Sequence, residues 1–277
     1  MIKNLLTRTL TGIVYVSLVI VALYSYSWVF YAVFAIIMLR TLKEFIGIIA
    51  LKNHVVYKLP AYLFALALFT IACGNVCYSW SVPYSLVAVP IILLLCVWQL
   101  FQKSENPFDS IVYTVFGVLY AAIPFCLLVH IVGGDIATLP TAQLHVAVIM
   151  FIFIWSNDTF AYLWGISLGK HKLFPRISPK KSVEGFVGGL LSTLVLAYCI
   201  AQWVETPLSA WQWVGAATVI VVASTFGDLF ESMLKRYAGV KDSGTILPGH
   251  GGLLDRFDSV LFSIPTFFVY LQIVEIL

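Results

Sequence analysis

Nine apolar stretches divide this chain, at about 10–24, 28–42, 59–78, 84–101, 111–132, 144–164, 186–204, 211–234 and 253–276. Most approach the ~20 residues that a helix needs to cross ~30 Å of hydrocarbon, and the first two are read as short, tilted or joined with their flanks. Of its 277 residues 61% are hydrophobic and only 10% charged. Soluble domains are nearer half apolar and a quarter charged, so a soluble fold is excluded. The expectation is an all-α integral membrane protein of about nine transmembrane helices.

The basic residues test that count, because cytoplasmic loops carry an excess of Lys and Arg. The connections near 25–27, 79–83, 133–143 and 205–210 contain none. All sixteen Lys and Arg fall on the other side: at the N-terminus, between Arg40 and Lys58, at Lys103, between Lys170 and Lys181, and between Lys235 and Arg256. A miscounted span would scramble this partition. It predicts a cytoplasmic N-terminus and an external C-terminus. Trp28, Trp80, Trp203, Trp211 and Trp213 lie beside the uncharged connections, as an interfacial aromatic belt would. Lys3 and Arg8 before the first run imitate a secretory signal, but no small-residue cleavage site follows, so a retained first span is expected.

Charge is costly inside hydrocarbon, and it is concentrated in 226–259, which holds Asp228, Glu231, Lys235, Arg236, Lys241, Asp242, Asp255, Arg256 and Asp258. Asp228, Glu231, Ser232 and Lys235 fall at i, i+3, i+4 and i+7, on one face of a helix. Residues 239–252 then carry five of the eighteen glycines and a proline, which suits a loop that closes on a ligand. A second helix starting near Leu253 places Asp255 and Asp258 on adjacent turns. Hard oxygen donors with basic neighbours suit Mg²⁺ and the phosphates that it bridges.

A second polar cluster begins at Asn157 and Asp158, which interrupt the sixth run, and continues through 169–185 with Lys170, His171, Lys172, Arg176, Lys180 and Lys181. Ser182 and Glu184 stand where they would cap the seventh span, and Gly185, Gly188 and Gly189 allow close helix contact. Residues 1–140 carry no such chemistry and are read as a scaffold; residues 141–277 are read as the catalytic region of a single polytopic unit. Cys73, Cys77, Cys96, Cys126 and Cys199 lie in apolar runs without metal-ligand spacing. His54, His130, His145 and His171 have no partners that the sequence identifies.

Ser232, Lys235-Arg236, Lys241-Asp242, Gly244, Leu247-Pro248, His250-Gly251-Gly252, Asp255-Arg256 and Asp258 together resemble, without a gap, the motif of the phosphatidate cytidylyltransferases, also called CDP-diacylglycerol synthases. Asn157-Asp158 and the run from Ser178 to Gly185 are similar to that family too. The resemblance implies that CTP and phosphatidate react to give CDP-diacylglycerol and pyrophosphate, with Mg²⁺ as cofactor; a second metal or a monovalent cation stays open, as does a homodimer. No nucleic-acid partner is expected and membrane lipid forms the surroundings; the compact form of the chain suits a bacterial inner membrane, and the one-sided basic residues place the site toward the cytoplasm.

The roles expected on this basis are as follows. Asp228 and Asp255 are first choices for the metal, with Asp258 and Glu231 beside them, and Asp158 either joins the metal or pairs with a basic loop residue. Lys235, Arg236, Lys241 and Arg256 contact the triphosphate or the lipid phosphate. Lys180, Lys181 and Ser182 hold substrate phosphate, and Gly251 and Gly252, with His250 beside them, bring backbone N–H groups near an anion. The catalytic set is Asp228, Lys235, Asp255 and Asp258. Two other readings stay open: a CTP-dependent lipid kinase of the polyprenol or phytol kinase kind, and an ion-coupled transporter.

Overall fold

The computed structural model of the protein describes residues 2–25, 27–103, 106–133, 142–204, 206–244 and 251–275, without the side chains of 2–11, 27 and 142–145. Among the described residues there is one α-helix for each apolar run: α1 (Ile2–Leu23), α2 (Ser27–Ala50), α3 (Lys58–Tyr78), α4 (Ser85–Leu100), α5 (Pro107–Val132), α6 (Ala142–Leu168), α7 (Val183–Trp203), α8 (Ala210–Ala238) and α9 (Leu254–Ile273). Five stretches are long and apolar enough to cross a membrane: α3, α5, Val146–Leu168 of α6, α7 and α8. The fully described part of α1, Gly12–Leu23, is shorter, and the 16 residues of α4 reach only about 24 Å at ~1.5 Å per residue. α2 carries Arg40, Lys43 and Glu44, and α9 opens on Asp255, Arg256 and Asp258. The architecture is that of an all-α membrane protein.

Helix ends follow local chemistry. α8 begins with a capping box, in which the Ser209 hydroxyl accepts from the Gln212 amide while the Gln212 side chain accepts from the Ser209 amide. Ser182 caps α7 as its position in the sequence suggested, accepting from the Gly185 amide at 3.1 Å. Glu184 does something else. Its carboxylate turns back to accept from the amides of Lys170 (3.1 Å) and His171, and it pairs with His171 Nδ1 at 2.5 Å. This anchors a segment that reads as a loop in the sequence but forms a two-stranded antiparallel ribbon, β1 (Lys172–Phe174) with β2 (Ser178–Ser182).

The core lies where α2, α5, α6, α8 and α9 meet. Phe34 of α2 packs on Phe125 of α5 (centroids 6.1 Å), and Phe125 packs on Phe257 of α9 (5.7 Å). Phe153 of α6 meets Trp213 of α8 edge-on at 5.7 Å, and Trp213 stacks on Phe267 of α9. Outward faces stay apolar: Leu93 and Leu94 of α4 and Leu191 and Val195 of α7 are exposed, which suits lipid surroundings.

Two close helix pairs position the polar residues. α6 approaches α7 at Gly188 and Gly189, where an added Cβ would press on Trp164 and on Ala161. α8 approaches α9 at Gly227, where a Cβ would overlap the Asp258 carbonyl oxygen and crowd Phe262. That contact brings Asp228 beside the first turns of α9. Overpacking a well-filled contact costs about 1–3 kcal/mol. Gly227→Val is therefore expected to lower the melting temperature of the detergent-solubilised protein by several degrees, read by intrinsic fluorescence.

Candidate active site

α8 presents Asp228, Glu231, Ser232 and Lys235 on one face, as their spacing predicts. The Ser232 hydroxyl donates to Asp228 Oδ1 at 3.2 Å. Lys235 spans the two helices, pairing with Glu231 one turn back and donating to Asp255 Oδ1 of α9 at 2.6 Å. The other oxygen of Asp255, Oδ2, accepts from the amides of Ser243 (2.9 Å) and Gly252 (2.8 Å) and lies 2.9 Å from the Ser243 hydroxyl. The ribbon adds Lys181, whose ammonium pairs with Asp228 Oδ2 at 2.6 Å.

Asp228, Ser232, Lys235 and Asp255 of this set line a cavity of about 550 Å³. Ten charged side chains line it: Asp158, Asp228, Asp242, Asp255 and Asp258, with Lys180, Lys235, Arg236, Lys241 and Arg256. Asp158, Lys180 and Asp228 also line a second cavity of about 400 Å³ between α6, α7 and the ribbon. Its walls include Lys181 and Ser182 but also Tyr162, Ile166, Leu173 and Phe186. A highly charged chamber and a partly apolar one therefore share a wall.

The sequence-derived site is gathered with some redistribution. Glu231 is fully buried behind Lys235 and lines neither cavity. Gly252 does not leave its amide for an anion, because Asp255 takes it, and Gly251 lies against the same carboxylate. His250 and Gly249 lie outside the described residues. Asp255 is saturated by protein donors, whereas Asp158, Asp228 and Asp258 reach the cavity with fewer partners.

Several contributors carried no sequence signal. Tyr15 and Gly12 of α1 and Trp155 of α6 line the charged cavity, and the Tyr15 hydroxyl donates to the Arg256 carbonyl at 3.3 Å. Glu44 of α2, from the half read as scaffold, accepts from the amides of Leu253 (2.9 Å) and Leu254 (2.7 Å). The described histidines also find partners. His130 bonds Tyr84 at 2.6 Å, His171 pairs with Glu184, and His54 lies 3.3 Å from Asp109 and 3.0 Å from the Tyr237 hydroxyl. Of these pairings, that of His54 with Tyr237 spans 183 residues, whereas His171 and Glu184 are 13 apart.

Among the described residues no group of three or more His, Cys, Asp or Glu forms a ready-made metal cage. Mg²⁺ is usually held by one or two carboxylates together with substrate phosphates and water. Asp228 and Asp258, on the helices that meet at Gly227, fit that mode. Among the described residues neither cavity is lined by a histidine or cysteine. The arrangement suits charge neutralisation and alignment between anionic reactants.

Comparison with known proteins agrees with this chemistry. A model of the cytidylyltransferase family matches residues 6–274. A protein of Staphylococcus aureus (strain COL) named phosphatidate cytidylyltransferase is 33% identical over 261 residues, 93% of this chain and 95% of its own. Proteins with the same name from Staphylococcus haemolyticus (strain JCSC1435) and Bacillus subtilis (strain 168) are 36% identical over 230 residues and 33% over 277. They align with 82% and 98% of this chain and with 84% and 97% of their own lengths.

Removing one partner of a buried ion pair costs about 3–5 kcal/mol because the other charge stays behind uncompensated. Lys235→Met, which leaves Glu231 buried and unpaired, is expected to destabilise the protein by about that amount. The double change Lys235→Met with Glu231→Gln should recover part of the loss in the same thermal denaturation assay.

Proposed function

The chain belongs to the cytidylyltransferase family, and on that premise we propose that it transfers the cytidylyl group of CTP to phosphatidate, releasing pyrophosphate and leaving CDP-diacylglycerol. The observation that carries this reading is the shared wall of Asp158, Lys180 and Asp228 between the two cavities. A reaction that joins a polyanionic nucleotide to an amphiphile needs a charged chamber and a partly apolar one that meet at the reacting atoms. Membership in the family removes the ion-coupled transporter reading, and the name of the relatives favours cytidylyl transfer over a lipid kinase.

The reaction is an in-line displacement. An oxygen of the lipid phosphate forms a bond to the α-phosphorus of CTP, the bond to the β-phosphate oxygen breaks, and pyrophosphate leaves with that electron pair. A phosphate monoester has a second pKa of about 6, so the nucleophile is already largely dianionic near neutral pH and no strong general base is required. The protein supplies alignment and positive charge. Arg236, Lys241 and Arg256 hold the triphosphate in the charged cavity, and Lys180 and Lys181 hold the lipid phosphate at the shared wall. Lys235 has spent two of its three N–H donors on Glu231 and Asp255, and its third serves the cavity. Asp228 and Asp258 would hold Mg²⁺ with Asp158 nearby, while Asp255 and Glu231 support them through Lys235. The ion would supply neutralisation of phosphate charge there.

In this reading all nine helices span the bilayer, with the N-terminus cytoplasmic, the C-terminus external and the charged cavity open to the cytoplasm of a bacterial cell, where CTP is. The one-sided placement of all sixteen basic residues supports that orientation. Tyr162, Ile166 and Phe186 then face the acyl end of phosphatidate.

Charge-assisted hydrogen bonds contribute about 1.5–3 kcal/mol, so losing one changes an affinity roughly 10- to 100-fold. Arg236→Ala and Lys241→Ala are expected to raise KM for CTP by such a factor while KM for phosphatidate stays nearly constant. Lys180→Ala and Lys181→Ala should raise KM for phosphatidate instead. Steady-state assays in mixed micelles with both substrates varied read this directly; equal shifts of both constants in every variant would contradict the two-cavity assignment.

A further inference from the structure

Glu44 lies about three-quarters of the way along α2 and is 7% exposed. A carboxylate this buried is costly unless its oxygens are satisfied, and these are. Oε1 accepts from the Leu253 amide, and Oε2 accepts from the Leu254 amide at 2.7 Å and lies 2.8 Å from the Ser243 hydroxyl. The first amides of a helix need acceptors, and α9 has no capping side chain of its own at Leu253. Glu44 supplies the cap from another helix, with a negative charge at the positive end of the α9 dipole.

The same carboxylate gathers both ends of the glycine-rich segment. At Gly252 an added Cβ would overlap Glu44 Oε2 and the Ser243 hydroxyl, and at Gly244 it would lie 3.0 Å from Glu44 Oε1. The backbone therefore closes around Glu44 as tightly as glycine permits. The Ser243 hydroxyl sits between two carboxylates, 2.8 Å from Glu44 and 2.9 Å from Asp255, and offers its one proton to either. Asp255 in turn fixes Lys235. Glu44 lines neither cavity, so it acts on the reaction only through these neighbours.

We propose that Glu44 is a positioning residue for cytidylyl transfer, holding 243–244, 251–252 and the start of α9 so that Lys241 and Arg256 meet the triphosphate. This rests on the transfer reading above. It separates the two substrates, because the ribbon that carries Lys180 and Lys181 does not depend on Glu44.

The test compares purified wild type with Glu44→Gln and Glu44→Ala, measuring KM for CTP, KM for phosphatidate and amide exchange at 253–254. Glu44→Gln keeps the size of the side chain but loses one acceptor, so it remains informative if Glu44→Ala fails to fold. The expected result is a KM for CTP raised about tenfold, the equivalent of one charge-assisted hydrogen bond, with KM for phosphatidate within about twofold. Exchange at 253–254 should rise at least about tenfold, with α5 and α6 unchanged, because those two amides are the ones that Glu44 accepts from. A lower yield with unchanged KM for CTP, whether or not exchange rises, would reduce Glu44 to a stabilising residue and overturn the proposal. A wild type that forms no CDP-diacylglycerol would overturn the transfer reading and this role with it, whereas an active wild type with unaffected variants would overturn the role alone.

Discussion

Lys235 stands between Glu231 and Asp255, and the rest of the site hangs from that ion triad. Glu231 is fully buried, so its charge is tolerable only because the ammonium is there. By bonding Asp255 as well, Lys235 ties α8 to α9 just beyond the contact at Gly227. Asp255 then draws in the amides of Ser243 and Gly252, and Ser243 reaches Glu44 on α2. Three helices and both described ends of one loop are joined by a continuous run of charge-assisted bonds. Such bonds are roughly twice as strong as neutral ones, and the low dielectric around them penalises any that are left unmade.

This arrangement divides the carboxylates by task. Asp255 and Glu231 are spent on structure, and they set the backbone that carries Asp258 and Arg256. Asp158, Asp228 and Asp258 are left to the cavity, where Lys181 already pairs with Asp228. A polyanion entering a chamber lined by five acidic and five basic side chains meets a nearly balanced field. Its phosphates are then placed by local contacts rather than by bulk attraction. In the proposed reading the apolar walls of the adjoining cavity, with Phe186 and Tyr162, would suit acyl chain as the exposed faces of α4 and α7 suit lipid.

Much of this was legible in the sequence because it is periodic or local. The nine apolar runs became helices, most with ends within about four residues of the runs, although α1 starts at Ile2 and α2 continues to Ala50, and the i, i+3, i+4, i+7 spacing of Asp228, Glu231, Ser232 and Lys235 became one polar face. Ser182 capped α7 three residues from its partner. What escaped was pairing across sequence distance. Glu44 precedes its partner Leu254 by 210 residues, and nothing within α2 distinguishes it from an ordinary helix-end charge. Tyr15 reaches Arg256 over 241 residues. The ribbon at 172–182 was hidden for another reason: its lysines and prolines carry no alternation, and Glu184 holds its base from outside the strands. The surroundings of Asp255 escaped likewise, because a sequence displays a carboxylate but not the four protein donors around it.

The central claim is that phosphatidate attacks the α-phosphorus of CTP at the wall where the two cavities meet. The most direct measurement follows the fate of label from CTP carrying radioactive phosphorus at either the α or the γ position, with purified protein, phosphatidate and Mg²⁺ in micelles. The account predicts that α label enters the lipid fraction while γ label is recovered wholly as pyrophosphate. Label from the γ position in the lipid, with CDP as co-product, would mean phosphoryl rather than cytidylyl transfer and would contradict it.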